Sequence, residues 1–203
     1  MPDAATLAPV TLRPATPADA RTIAVLWDMA NAGHVASLFA RGARGRRSWL
    51  DDAADEIGRP AGEMSWKNAV VAEHDGDVVG ALVALRLTRR MGRVAMLRLP
   101  PDQRSHYELL AQVHGAYFLR DLAVMPEHRG RGIGSALIDA GVGRARAAGC
   151  ETLAITTHET NESFRAHLER RGFTERDTRP VRLHARYAPQ SRWILLARPV
   201  AGA

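Results

Sequence analysis

The chain has 203 residues, 28 Lys and Arg against 22 Asp and Glu, a formal charge of +6 and 46% hydrophobic residues. That length, with ordinary apolar and charged fractions, suits one domain spanning 1–203 with a proper core and flexible ends at 1–9 and 200–203. One cysteine, Cys150, excludes an intrachain disulfide and gives no basis for a metal site; with no apolar run of about 18 residues and no basic-then-apolar leader, we expect a cytoplasmic protein with no membrane partner.

Val10 to Arg13 reads as a short strand, and Thr16-Pro17-Ala18-Asp19 then supplies an N-cap, a proline at the first helical position and an acid in the first turn. Ile23, Leu26, Trp27 and Ala30 give the following helix a buried stripe. Asn31 to Arg46 reads as a loop, and Ser48 to Ile57 as a second helix. Ala69 to Glu73 and Val78 to Leu87 form a hairpin through Asp75-Gly76-Asp77. Met91 to Pro101 is ambiguous, and Gln103 to Val113 reads either as a helix or as a long excursion. A central strand, Ala116 to Val124, precedes a helix from Gly132 to Ala148. Strand Thr152 to Thr157, helix Asn161 to Arg171 and an antiparallel pair, Val181 to Tyr187 and Trp193 to Arg198, complete the order. This is an α/β pattern. Cys150, where the helix hands over to the next strand, reads as packing.

The junction between the central strand and its helix carries the chemistry. Gly130, Gly132 and Gly134 let backbone approach a ligand closely, the helix start offers unpaired N–H groups, and Arg129 and Arg131 add guanidinium forks suited to a pyrophosphate. The spacing fits neither the G-x-G-x-x-G dinucleotide fingerprint nor the P-loop, whose lysine is absent here, since the chain's only lysine is Lys67. It reads instead as R-x-x-G-x-G through Arg129, Gly132 and Gly134. Here the chain resembles the GNAT N-acetyltransferase superfamily, whose R/Q-x-x-G-x-G/A loop grips the pyrophosphate of acetyl-coenzyme A. A second likeness, at Asn161, Gly172 and Phe173, matches the family's N-x-x-A-x-x-L-Y-x-x-x-G-F segment, so the strong resemblance covers about Tyr117 to Glu175.

The resemblance implies a mixed, mostly antiparallel sheet flanked by helices, with the strands around Leu122 and Ala154 splayed to admit the pantetheine arm. It places that arm along Leu122, Ala123 and Val124, with an oxyanion donor near Val124. The pyrophosphate then lies over Arg129, Gly130, Arg131, Gly132, Ile133, Gly134 and Ser135, and Asn161 and Phe164 contact the cofactor. Asn161 can also cap its helix, and Phe164 and Phe173 also read as core. The implied reaction is direct transfer of an acetyl group in a ternary complex, with coenzyme A as product.

Two departures concern proton transfer. The family's tyrosine acid falls at Leu168, leaving His167, one residue earlier, as a candidate acid. Members acting on protein N-termini often carry a glutamate base five positions before the asparagine; that place is Thr156. For the base we single out Asp121, with Glu73, His158 and Glu159 as alternatives; Tyr117 and Tyr187 are further proton donors. Trp49, Met64 and Trp66 read equally as acceptor pocket or local packing.

Three function classes remain open: an acetyltransferase for a primary amine of a small molecule or peptide, a non-catalytic coenzyme A sensor, and an acetyltransferase of aminoacyl-tRNA. The arginines suggest the last. Their clusters at Arg41, Arg44, Arg46, Arg47 and at Arg89, Arg90, Arg93 read better as solvated faces, so nucleic acid is not expected as a partner. The oligomeric state is not legible in the chain; a homodimer is one option, since many relatives form dimers.

Overall fold

The computed structural model describes residues 10–31, 33, 35–36, 39, 47–88, 91–99, 101–181 and 192–200. Seven strands lie in the order β1-β2-β3-β4-β5-β7-β6, flanked by helices; of the ladders described, only β4 with β5 is parallel. The chain divides into two compact units, Met1–Ala84 with Asp121–Gly141, and Leu85–Arg120 with Val142–Ala203. No helix among the described residues is long and apolar enough to cross a membrane.

In the first unit, β1 (Thr11–Pro14) pairs antiparallel with β2 (Ala69–His74), which pairs antiparallel with β3 (Asp77–Arg86). Asp75 and Gly76 turn the hairpin with φ of 53° and 85°, the paired positive values of a type I′ turn, which match the right-handed twist of the strands. A short 3-10 turn, Pro17–Asp19, leads into α1 (Ala20–Ala30). Of the stripe read from its sequence, Ile23 and Leu26 are buried, Trp27 is half-buried and Ala30 is exposed. Val35, Ala36 and Phe39, inside the segment expected as loop, are helical, and Phe39 meets Trp27 edge-on at 5.9 Å. Ser48 caps α2 (Trp49–Gly58) by accepting from the Asp51 N–H. The apolar faces of both helices close a core with Met64, Val71, Ala81, Val83 and Ala123, against which Trp49 and Trp66 pack.

The second unit opens with an excursion closed at its base by Leu87 N–H to Ala116 O (2.9 Å) and Gly115 N–H to Leu87 O (2.8 Å). It holds two helices, α3 (Arg93–Arg98), which settles the ambiguous stretch, and α4 (Pro101–Gln112). The strand β4 (Tyr117–Val124) contributes to both units, as does α5 (Ile133–Ala147). In the second unit, β4 pairs with β5 (Thr152–His158) at only three positions, Tyr117↔Leu153, Phe118↔Ala154 and Leu119↔Ile155. The ladder stops at Ile155, so Thr156 is the first β5 residue beyond it. Helix α6 (Glu162–Arg170) precedes β6 (Thr174–Pro180), which pairs antiparallel with β7 (Arg192–Pro199).

The sequence placed this last pair differently. The strand expected at Val181 to Tyr187 lies outside the described residues except for Val181, which is buried and not in a strand. Thr174 to Pro180 escaped notice because TERDTRP is an edge strand with mostly wet side chains and gives no apolar alternation. Residues 1–9 and 201–203 lie outside the described residues, whereas Val200, expected in a flexible end, is buried and donates its N–H to Glu151 O at 2.9 Å.

Candidate active site

Gly80 sets how closely β3 approaches β4 and α5. A Cβ there would meet Ala123 O at 3.2 Å and both Ile133 Cγ2 and Leu137 Cδ1 at 3.4 Å. The Met125 N–H then bonds Val79 O (2.8 Å), a single 3-10 turn spans Pro126–His128, and the Arg129 Nε–H returns to Val124 O at 2.9 Å. That bond uses part of the guanidinium to hold the strand end, a role the sequence did not disclose. Gly130 and Gly132 have φ of 76° and 80°, and a Cβ on either would meet no protein atom within 4 Å. These glycines are required by backbone shape, and the space above them is open. The first helical bond of α5 runs from Ala136 N–H to Gly132 O (3.0 Å), so the amides of Ile133 and Gly134 precede it at the positive end of the helix dipole. Ile133 is buried, Ser135 is half-buried, and the Arg131 side chain is exposed. Backbone donors, a helix start and cations around one open loop are the donor set a diphosphate requires.

On β4, Leu122 lies under the first turn of α5, its Cδ2 3.9 Å from where a Gly134 Cβ would be; Ala123 and Val124 are buried. Asp121, one residue earlier, lines a small pocket with Ile23, Leu26, Trp27, Ala81, Val83 and Ala123. Its Oδ1 accepts from Asn31 Nδ2 at 2.8 Å, and the same amide donates to Trp27 O at 2.9 Å. A carboxylate in an otherwise apolar pocket can hold an ammonium group or take a proton from it. Glu73 is instead committed to Arg13 (2.6 Å), whose guanidinium also grips buried Asp19 through two bonds of 2.8 and 2.9 Å. The Arg13 bonds hold the Asp19 carboxyl down at about 2, against the desolvation that opposes them.

In the second unit, Asn161 stands before α6 and its carbonyl accepts from the Arg165 N–H at 3.0 Å, but its side chain makes no capping bond and the residue is exposed. Phe164 is half-buried on α6, and Phe173 is buried with the Arg198 guanidinium over its ring at 5.6 Å. Leu168 is fully buried. His167 is half-buried, and its pKa is lowered by desolvation, then by Arg171 and Arg170. Burial raises that of Tyr117. His158, on β5, lies against Trp193 with ring centroids 3.9 Å apart and planes tilted by 37°. Tyr187, Arg41, Arg44, Arg46, Arg89 and Arg90 lie outside the described residues. Arg47 is exposed and pairs with Asp52 and Asp55 on α2, as a solvated face would. Cys150 is free and buried. Among the described residues there is no group of three or more His, Cys, Asp or Glu that could hold a metal.

Residues 43–173 match the family model described as acetyltransferase (GNAT) family. The chain belongs to this family. It is therefore an acetyltransferase, and the GNAT family generally takes its acetyl group from acetyl-coenzyme A. A crystal structure described as an acetyltransferase is similar at a TM-score of 0.66 and 18% identity, covering 94% of this chain and 100% of that one. An N-acetyltransferase from Staphylococcus aureus Mu50 gives 0.65 and 16%, covering 93% and 100%. The polyamine N-acetyltransferase of Drosophila melanogaster, which catalyses the formation of N-acetylagmatine, gives 0.65 and 16%, covering 94% and 100%. At these identities the likeness is one of fold. No curated protein matches the sequence.

Within the GNAT frame, sequence reasoning missed two partnerships. Asn31, from the end of α1, was read as loop yet binds Asp121 ninety residues away. His106 of α4 reaches Thr156 of β5 with Nε2 to Oγ1 of 2.9 Å. No local signal announces either, because each depends on tertiary pairing.

Proposed function

We propose that the protein is an acetyl-coenzyme A-dependent N-acetyltransferase acting on a primary amine of a small molecule or peptide by direct transfer in a ternary complex. The observation that carries this reading is the open, cationic loop from Arg129 to Ser135, with two positive-φ glycines over which a Cβ would meet no protein atom. Its amides, with Arg131, would bind the diphosphate. Leu122, Ala123 and Val124 would pair with the pantetheine arm, the Val124 N–H would polarise the thioester carbonyl, and Asn161 and Phe164 would contact the cofactor from α6. Acetyl-coenzyme A supplies an activated acetyl thioester.

Asp121 is the proposed base. Its carboxylate, oriented by Asn31, would take a proton from the acceptor ammonium while Ile23, Leu26 and Trp27 exclude water. The nitrogen then forms its bond to the acetyl carbon as the carbon–sulfur bond breaks. For the thiolate, His167 is the candidate on α6. A neutral imidazole is too weak an acid to protonate a thiolate, and the lowered pKa leaves little imidazolium at pH 7, so His167 would stabilise the leaving sulfur by a hydrogen bond. Buried Leu168, where the family's acid commonly stands, favours a second reading, a coenzyme A-binding sensor.

Thiol release from acetyl-coenzyme A in the presence of a panel of primary amines and short peptides separates the two. Amine-dependent release is the expected result. Tight coenzyme A binding with background hydrolysis only would support the sensor.

A further inference from the structure

Two of the three large apolar side chains exposed among the described residues stand on one short helix of the second unit. Val94 and Leu97 of α3 are 64% and 68% exposed, and their spacing of three puts them on one face. The cations around that face lack counterions. Arg86, ending β3, and Arg98, ending α3, are exposed, and neither forms an ion pair with any described side chain. Arg104 donates to the carbonyls of Leu97 and Leu99, at 2.7 and 3.2 Å, which ties down the helix end and leaves the charge unneutralised. The sequence adds Arg89, Arg90 and Arg93, so residues 86–104 carry six arginines against a single acid, Asp102. Glu108, on α4, is committed to Arg179 at 3.7 Å. By contrast, Arg21, Arg47 and Arg59 are exposed and each pairs with a carboxylate.

The face therefore has two unmet needs, cover for its apolar side chains and anions for its arginines. A second copy of this chain would meet the first and worsen the second, because like charges would face one another. A nucleic acid would meet the second alone. A bilayer with acidic headgroups meets both, since anions lie just above an apolar layer. Side chains exposed by two-thirds protrude, and a fluid interface receives them without the preformed hollow that an acidic protein would have to supply. We propose that α3 is a peripheral membrane contact, Val94 and Leu97 entering the interface of an anionic bilayer while the arginines of residues 86–104 meet its headgroups. The expectation of no membrane partner rested on the lack of a spanning segment, which a surface contact does not require. Two aliphatic side chains are a small anchor, so attachment is reversible, needs both the apolar face and the charges, and weakens as salt screens the arginines.

The test sediments the full chain at low salt with vesicles of phosphatidylcholine alone and of phosphatidylcholine mixed with phosphatidylglycerol. Binding to the mixed vesicles should exceed that to the neutral ones by about tenfold or more. Val94→Ser/Leu97→Ser should weaken it on the order of tenfold and Arg98→Gln about fivefold, with far-UV circular dichroism unchanged because these side chains are exposed. Arg59→Gln makes the same change in net charge at an exposed, paired arginine and should leave binding within about twofold. No binding, equal binding to both vesicles, full binding by folded Val94→Ser/Leu97→Ser, or an equal loss in Arg59→Gln would overturn the proposal. So would tighter binding of polyglutamate or single-stranded RNA than of the mixed vesicles, the results expected if an acidic protein or a nucleic acid covers the face. Amine-dependent thiol release bears on none of these outcomes, so the membrane contact and the acetyltransferase reading fail separately.

Discussion

Around Gly132 the functional groups are main-chain amides, presented by a turn and a helix start within a few residues of sequence. Around Thr156 the polar groups that meet are side chains, from α4, β5 and β7, separated by as many as 87 positions between His106 and Trp193. The first arrangement tolerates side chains that leave both the backbone shape and the open space above the loop intact. The second is only as good as each side chain's packing. Substitutions should therefore separate the two regions by what they damage, affinity in one and acid stability in the other.

The largest expected effect breaks the first region. Gly132→Val should lower coenzyme A affinity about a hundredfold, because the valine would occupy the open space above the loop. The fold should lose about 1–2 kcal/mol from a non-glycine residue at φ of 80°, read as a modest fall in Tm. Loss of affinity no greater than the fall in stability would assign the glycine to backbone shape alone.

Next, Leu168→Tyr asks whether the second unit can simply be given the family's usual acid. Leu168 is fully buried, so the larger ring should overpack the core and cost about 1–3 kcal/mol, measured by urea unfolding. A rise in kcat at unchanged stability would show that the position faces the chemistry after all.

Two titratable groups, His106 and Asp19, should also respond to acid in different windows. His106 has a folded pKa of about 4, below its ordinary 6.5, so the unfolded chain binds its proton more readily. Its contribution to stability is present above 6.5 and lost as the pH falls from there toward 4. Asp19, held at about 2, contributes above its ordinary value and loses its contribution only below about pH 3.8. Melting curves should thus show a loss between pH 6.5 and 4 that His106→Gln removes, leaving the lower transition in place.

The smallest effect is expected at Gly134. Its Cβ would meet only Leu122 Cδ2, at 3.9 Å, and the loop pattern the chain resembles admits alanine there. Gly134→Ala should leave coenzyme A affinity within about threefold and raise helix stability by a few tenths of a kcal/mol or more. Measured side by side with Gly132→Val, it tells how much of the loop's requirement lies in φ and how much in open space.

What could be read from sequence follows the same division. The hairpin at Asp75-Gly76, the helix after Thr16 and the loop from Arg129 to Ser135 are local, each specified by residues that touch their own neighbours. β6 was not legible because an edge strand with polar side chains has no buried face to advertise. The ion pair of Arg13 with Glu73 and the contact of His106 with Thr156 were hidden for a different reason. Each joins residues whose proximity is a consequence of the sheet order, and His106 sits on a helix whose very existence the sequence left open. The acceptor pocket shares that difficulty, since Asp121 gains its orienting partner, Asn31, from a segment read as loop.

The most direct test of the account is isothermal titration of the wild-type chain with coenzyme A, with Gly132→Val as the paired control. Saturable binding to the wild type at micromolar concentrations is expected, with a clear loss in the variant while both remain folded. Folded wild-type protein that shows no heat of binding at millimolar coenzyme A would contradict it.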